Sequence, residues 1–280
     1  MSKIGYKSFE GRFTAKSPVT HGSDENFGNE QRLRTEDIRV VPDDGEVEVV
    51  EVPFISGNSL RGQFRDLLAK DFLDHLDVEI HDTLSNALYS GGTLQRGTGG
   101  RKIKREMIQN VRENIPMLSL IGTALGTQMI QGKLNMGDLL PIAAETSLYT
   151  GVESDLSVFE SVDMRPYTRM DDREGVVDRD QDEQAQQMMY KVQVLIRGTE
   201  FHHGMTLEHA TEIEEACLYR AFELFRQSPY IGGMKGKGHG KVEFEYEGGL
   251  GSSAPYTEWL DENREDIREF VLQLDEKLED

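Results

Sequence analysis

Apolar residues recur along this chain with two different periods, and the order in which the periods change predicts its fold. Residues 6–20 set Phe9, Phe13 and Val19 at odd positions among polar neighbours, which predicts a strand. Residues 22–39 are polar and read as a loop, and residues 47–55 as a second strand. From 59 to 76 the period changes: Leu60, Phe64, Leu67, Leu68 and Phe72 fall on one helical face, with Asn58 or Ser59 placed to cap it. Residues 107–121 fit a helix and a turn, 139–144 the end of a strand, and 190–196 a further strand. Ile213, Ala216, Leu218, Ala221, Leu224 and Phe225 predict a helix over 208–227. Val242, Phe244 and Tyr246 predict a strand over 241–246, and 258–278 a last helix. Strand-helix-strand followed by strand-helix-strand is the skeleton of a ferredoxin-like or RRM-like α+β fold.

The segment before the last strand changes the picture from fold to chemistry. Gly232, Gly233, Met234, Lys235, Gly236, Lys237, Gly238, His239, Gly240, Lys241 and Val242 hold five glycines, three lysines and no acid. Glycines let a backbone approach a ligand, and successive N–H groups in such a loop can cradle an anion. The expected ligand is a phosphate. A nucleotide-binding P-loop is excluded, because Gly238 and Val242 stand where Ser or Thr would follow the lysine, and a strand follows rather than a helix. The start of the 59–76 helix is a second phosphate candidate, with Asn58, Ser59, Arg61 and Arg65 near its positive pole. Without a ligand, the same residues read as a surface turn and a capped helix with two solvated arginines.

Five ordered motifs resemble the RAMP superfamily of CRISPR-associated proteins. Ile55-Ser-Gly-Asn-Ser-Leu-Arg-Gly62 looks like that family's strand-to-helix motif, and the 232–242 loop like its late glycine-rich loop. Leu118-Ser-Leu-Ile-Gly-Thr-Ala-Leu-Gly126, Gly132-Lys-Leu-Asn-Met-Gly-Asp-Leu-Leu-Pro141 and the stretch from Met189 to Phe201 resemble three further motifs between them. The resemblance covers about residues 1–247 and is nearest to the repeated guide-RNA backbone subunit of class 1 effector complexes, type IV first, then type I-D or type III. It implies a palm with finger-like and thumb-like extensions: an RRM-like domain over 1–250, insertions at about 77–115, a thumb-like hairpin at about 155–188, and an acidic helix over 251–280.

Charge at first argues against a nucleic-acid binder. The 280 residues carry 51 acids and 31 Lys plus Arg, a formal net charge of −20. Its distribution argues the other way. Residues 256–280 hold ten acids and three bases, whereas 91–105 hold five bases and no acid. An acidic exterior around a basic groove is expected, and an acidic surface also suits a salt-loving host. No apolar run reaches eighteen residues, and one cysteine, Cys217, in a helical pattern excludes an internal disulfide; a cytoplasmic protein with a packed core thiol is the expectation.

The resemblance implies guide-RNA binding through phosphates and shape rather than base identity. Partners would be the guide, complementary target DNA or RNA, other effector subunits and copies of the chain itself in a head-to-tail filament, with no membrane and no cofactor. Beside the two phosphate candidates it points to His21, Arg32 and Arg34 in the first loop and to thumb residues Met164, Arg165, Tyr167, Arg169 and Met170, while the basic run offers Arg101, Lys102, Lys104 and Arg105 to RNA or to the acidic surface of an adjacent copy. Cutting members of the family use an aspartate in the first loop. By spacing, that position falls near Gln31, with Asp24 and Asp37 several residues away, so a scaffold is expected and an endoribonuclease using one of these aspartates is the alternative. Zinc spacing is absent: His202 and His203 are adjacent and point to opposite faces of a strand. His21 and His239 read as surface histidines, and the run 171–182 as a solvated hairpin, not a calcium loop.

Overall fold

The computed structural model describes residues 5–23, 28–41, 45–92, 104–169 and 188–279. In chain order the first half contains β1 (Tyr6–Ala15), β2 (Glu30–Gln31), β3 (Thr35–Val40), β4 (Glu48–Pro53), α1 (Gly57–Leu76), α2 (Asp82–Tyr89), α3 (Arg105–Asn114), α4 (Pro116–Ile121), β5 (Gly122–Leu125), β6 (Gln128–Gln131) and β7 (Leu134–Pro141). The second half contains α5 (Ser147–Thr150), β8 (Val162–Arg169), β9 (Met188–Leu195), β10 (Glu200–Glu208), α6 (Glu212–Gln227), β11 (Val242–Tyr246), α7 (Ala254–Glu262) and α8 (Arg264–Glu279).

The central sheet has the order β11-β1-β10-β7 with every pair antiparallel. Numbered within the double strand-helix-strand unit this is 4-1-3-2, the ferredoxin-like order, and the chain is α+β. Strict alternation on β1 buries Phe9, Gly11, Phe13 and Ala15 beneath α1 and α6. Phe64 of α1 meets Phe222 and Phe225 of α6 edge-on at 4.7 and 5.7 Å, joining the two helices over the sheet. Cys217 lies fully buried on α6, where burial pushes its thiol far up.

Several sequence expectations need correction. The third core strand is β10, not residues 190–196. Its Phe201, His203, Met205 and Leu207 alternate inward, but a buried histidine and Gly204 hide the pattern. His203 is tolerated there because Tyr246 Oη lies 2.6 Å from its Nδ1, and burial lowers its pKa to about 4. Residues 190–196 belong chiefly to β9, which pairs with β8 from Val162↔Leu195 to Arg169↔Met188. The 22–39 loop contains β2 and β3. The latter forms an antiparallel ribbon with β4 over a small cluster of Ile38, Val52, Ala143 and Val158.

The last helix is two, broken at Asn263, whose Nδ2 turns back to Trp259 O at 2.7 Å and competes with helix continuation. Its outer face is charged, but Tyr256, Leu260, Ile267, Val271, Leu274 and Leu278 enter the main core. Buried Asp275 accepts from the His81 N–H at 3.1 Å and sits 2.9 Å from His81 Nδ1, tying α8 to the start of α2. Among the described residues no helix is long and apolar enough to cross a membrane.

Candidate nucleic-acid interface

Three segments meet beside the open end of β1. The chain leaving β1 is bonded to the root of the β8–β9 hairpin: Val19 and Leu195 exchange N–H···O bonds of 2.9 and 2.8 Å, and Thr20 Oγ1 donates to Gln193 O at 3.2 Å. Gln193 Oε1 accepts from the Leu33 N–H at 3.1 Å, and β2 runs parallel to β9. The glycine-rich loop then closes over the same strand exit. Gly233 N–H donates to Thr20 O and Gly240 N–H to Pro18 O, both at 2.7 Å.

Two of its glycines are demanded by these approaches. Gly232 (φ 69°) and Gly240 (φ 88°) would each place a Cβ about 2 Å from a carbonyl oxygen, at 2.2 Å from Thr20 and 2.1 Å from Ile231. Gly236 and Gly238 instead face open space around the short 3-10 turn Lys235–Lys237, after Met234 in left-handed conformation. The loop is therefore a built element, not a loose surface turn.

Its side chains reach the hairpin. Tyr167 and Tyr190 are cross-strand partners with rings stacked at 5.5 Å. The Lys237 ammonium lies 4.4 Å from the Tyr190 ring centre and 5.2 Å from that of Tyr167. Lys235 lies 5.0 Å over Tyr230, and Lys241 is exposed. His239 is not a surface histidine: it is 3 % exposed and its Nε2 bonds with Tyr167 Oη. Burial first, then Arg165 and Lys237, lower its pKa. Cations over stacked rings offer both phosphate attraction and a stacking surface.

A cleft of about 870 Å³ opens on the other face of the hairpin, lined by Arg32, Arg34, Phe54, Phe159 and the cross-strand pair Met164 and Gln193 among others. The His21 ring lies 6.3 Å from that of Phe54. Glu30 lies 3.9 Å from Arg32 and 3.6 Å from Lys191. Gln31 lies on β2 with its amide against Gly22, while Asp37 is exposed on β3 opposite Glu51. Among the described residues no group of three or more potential metal ligands occurs.

The start of α1 differs from expectation. Ser56 is the cap, not Asn58 or Ser59, and its Oγ accepts from the Asn58 N–H at 3.2 Å. Asp138 of β7 accepts from the Gly57 N–H at 2.6 Å, and Ser59 N–H donates to Ser56 O at 2.9 Å. A carboxylate of the protein thus already occupies the helix pole, and the first three N–H groups have acceptors. Burial and the nearby Asp138 raise the pKa of Glu36.

Arg61 and Arg65 are half-buried rather than free in solvent. Arg61 donates to Ile121 O, and Arg65 to Gly122 O at 2.8 Å and Ala87 O at 3.5 Å. They line a separate cleft of about 370 Å³ with Asn58, Gly91 and Gly122. It shares no lining residue with the larger cleft. Burial lowers the pKa of both, and Arg61 lowers that of Arg65 further. Neither has an ion pair with another described residue.

The remaining candidates are scattered. Lys104 and Arg105 are exposed at the start of α3. Arg101, Lys102, Asp24 and Met170 lie outside the described residues, and Arg169 is the last paired residue of β8. The open sheet face presents Glu10, Arg12, Thr14, His202, Glu243 and Glu245, with Tyr6 at its end, and is no aromatic stacking platform of the RRM type. Sequence reasoning missed Tyr190, Tyr230 and Asp138. The cross-strand pairing of Tyr190 with Tyr167 spans more than twenty residues, and no local period carries it.

The fold is that of a chain from a solved CRISPR complex. A structure described as "Type IV-B CRISPR Complex" contains a chain that aligns with a TM-score of 0.62 and 20% identity, covering 86% of this chain and 90% of that one. No family profile matches the sequence, and no curated protein matches it.

Proposed function

We propose that this chain is a non-catalytic backbone subunit of a CRISPR effector complex, of the type IV kind, that holds guide RNA and repeats head to tail along it. The observation that carries this is the meeting of three separate segments about the β8–β9 hairpin, with Arg165 and Lys237 by stacked Tyr167 and Tyr190 on one face and Arg32 and Arg34 in a cleft on the other, in a protein of net charge −20. Contacts of this kind fix position on a phosphate backbone without reading sequence. A guide-holding subunit needs that property, because each copy meets different bases. The shared fold with a chain of a type IV-B complex supports the same reading. A repeating heterologous contact gives an open helical assembly whose length follows the RNA.

The non-catalytic part rests on residue chemistry. Gln31, at the position corresponding by spacing to the family's cutting aspartate, carries an amide that cannot serve as a base. Purification of the complex from cells that also supply the guide array and partner subunits tests the proposal. Bound RNA of uniform length is expected, and absence of RNA would overturn it. Complementary RNA should stay intact with magnesium or manganese. Cuts at regular intervals, abolished by Asp24→Ala or Asp37→Ala, would replace the scaffold with an endoribonuclease.

A further inference from the structure

The β3–β4 ribbon has one edge closed and the other open. Arg39 of β3 turns its backbone away from β4: its N–H donates to Tyr149 Oη at 3.2 Å, and the same hydroxyl donates to its carbonyl at 2.8 Å. In an antiparallel pair, residues opposite each other face the partner strand together or turn away from it together. Arg39 is opposite Val49, and Asp37 is opposite Glu51. The N–H and C=O groups of Val49 and Glu51 therefore also point away from β3, on the far side of β4. Pro53, opposite Thr35, belongs to the same outward set, where a missing N–H costs the ribbon nothing. No described residue pairs with the outward backbone groups of Val49 or Glu51.

An open edge of this kind is a template for a further strand, and proteins usually guard it with lysine, proline or a covering element. Pro53 ends this edge, but the stretch before it carries no such guard among the described residues. Residues 46–52 read Glu-Val-Glu-Val-Val-Glu-Val, and Val47 and Val49 are 61 % and 65 % exposed. The other face of the ribbon is anchored: Ile38 and Val52 pack with Ala143 and Val158 in a small core of their own. The edge is thus held in place, extended and apolar in its outward side chains.

Charge selects the occupant. Glu48 and Glu51 are exposed, and neither has an ion pair with another described residue. Phosphates would be repelled. A second copy of β4 would bring the same acids and no cation, and like charges across strands destabilise a pair. Lysine or arginine opposite Glu48 and Glu51, with an apolar residue opposite Val49, satisfies both. In strand addition the main-chain bonds supply affinity and the alternate side chains supply specificity.

We propose that the open edge of β4, at Val49 to Glu51, pairs with an extended, lysine- or arginine-bearing strand of a partner protein. The assignment does not depend on RNA binding, although Glu51 also lines the cleft that holds Arg32 and Arg34.

Peptide binding to the full chain tests it. A short fluorescent peptide that alternates lysine and valine should bind saturably, and its glutamate-valine counterpart should not. Methylating every second backbone nitrogen of the peptide in one phase should abolish binding, and methylating the others should leave it, because an added strand is paired along one edge only. Val49→Pro deletes an outward N–H and should weaken the peptide about tenfold, the loss of one backbone hydrogen bond, with melting temperature and RNA binding unchanged. Glu51→Pro repeats the comparison at the next outward N–H should Val49→Pro melt early. Val50→Pro, whose N–H faces β3, should melt early in any case. Glu48→Lys with Glu51→Lys should transfer the preference to the glutamate-valine peptide. No binding of the lysine-valine peptide would overturn the proposal. Binding that ignores both the methylation phase and the two edge prolines would be attraction to an acidic surface and would overturn the pairing. Self-association of the wild type that Val49→Pro removes would give the edge to a second copy, and loss of RNA binding in Val49→Pro would give it to nucleic acid; either also overturns it.

Discussion

The ammonium of Lys237 lies 4.4 Å from the ring centre of Tyr190, so the glycine-rich loop grips the β8–β9 hairpin beyond its root at Leu195. Next to it His239 bonds with Tyr167 on the partner strand. On the proposed reading the loop would have two tasks, offering cations to RNA and setting where the hairpin stands. Replacing Lys237 with alanine should accelerate amide exchange over residues 188–195 several-fold, in line with about 1 kcal/mol for a cation over a half-buried ring. Unchanged exchange would make Lys237 a phosphate contact alone.

Neutralising Lys235, Lys237 and Lys241 together should lower the salt dependence of RNA binding by about two units, at about 0.7 per phosphate for single strands. Lys241→Ala alone should lower it by less than one unit and leave the hairpin undisturbed. A triple variant with the wild-type slope would remove the loop from the RNA interface.

Arg61 and Arg65 hold backbone carbonyls, so their loss should cost stability. Arg65→Ala removes two hydrogen bonds to Gly122 O and Ala87 O and is expected to destabilise by about 1–3 kcal/mol. In a thermal melt that is a drop of several degrees. A variant that melts with the wild type and yet loses RNA would show that the guanidinium serves the ligand instead.

Acid should weaken the fold through His203. Its pKa is near 6.5 in the unfolded chain and about 4 in the fold, because burial disfavours the charged ring. The unfolded chain then binds more protons, so the contribution present above pH 6.5 is lost as pH falls toward 4. The full effect is about 3 kcal/mol. Urea titrations at pH 7 and pH 4 on wild type and His203→Gln check this: the variant should be less stable at neutral pH and flatter with pH.

Much of the core was legible because burial there is one-sided. The alternation of Phe9 and Phe13, the helical spacing of Leu60, Phe64 and Phe72, and the face of Ala221 and Phe225 all turned out buried. The core strand β10 escaped because His203, neutral and bonded to Tyr246, occupies an apolar position. β3 escaped because a two-stranded ribbon with one solvated face needs few apolar residues, and only Ile38 of it is buried. At the candidate site, the glycine loop was visible as composition. That His239 lies buried against Tyr167, or that Asp138 fills the pole of α1, depends on contacts between residues 72 and 81 positions apart.

Cys217 gives this protein a practical property. It is the sole cysteine, sealed within α6 with its thiol held protonated, so it stays silent toward maleimides in the folded chain. A fluorophore pair attached through introduced surface cysteines, one on the hairpin root and one on the glycine-rich loop, would report only from those two places. The wild-type background thus serves as a clean start for a spectroscopic ruler that follows the hairpin with and without added RNA, one molecule at a time.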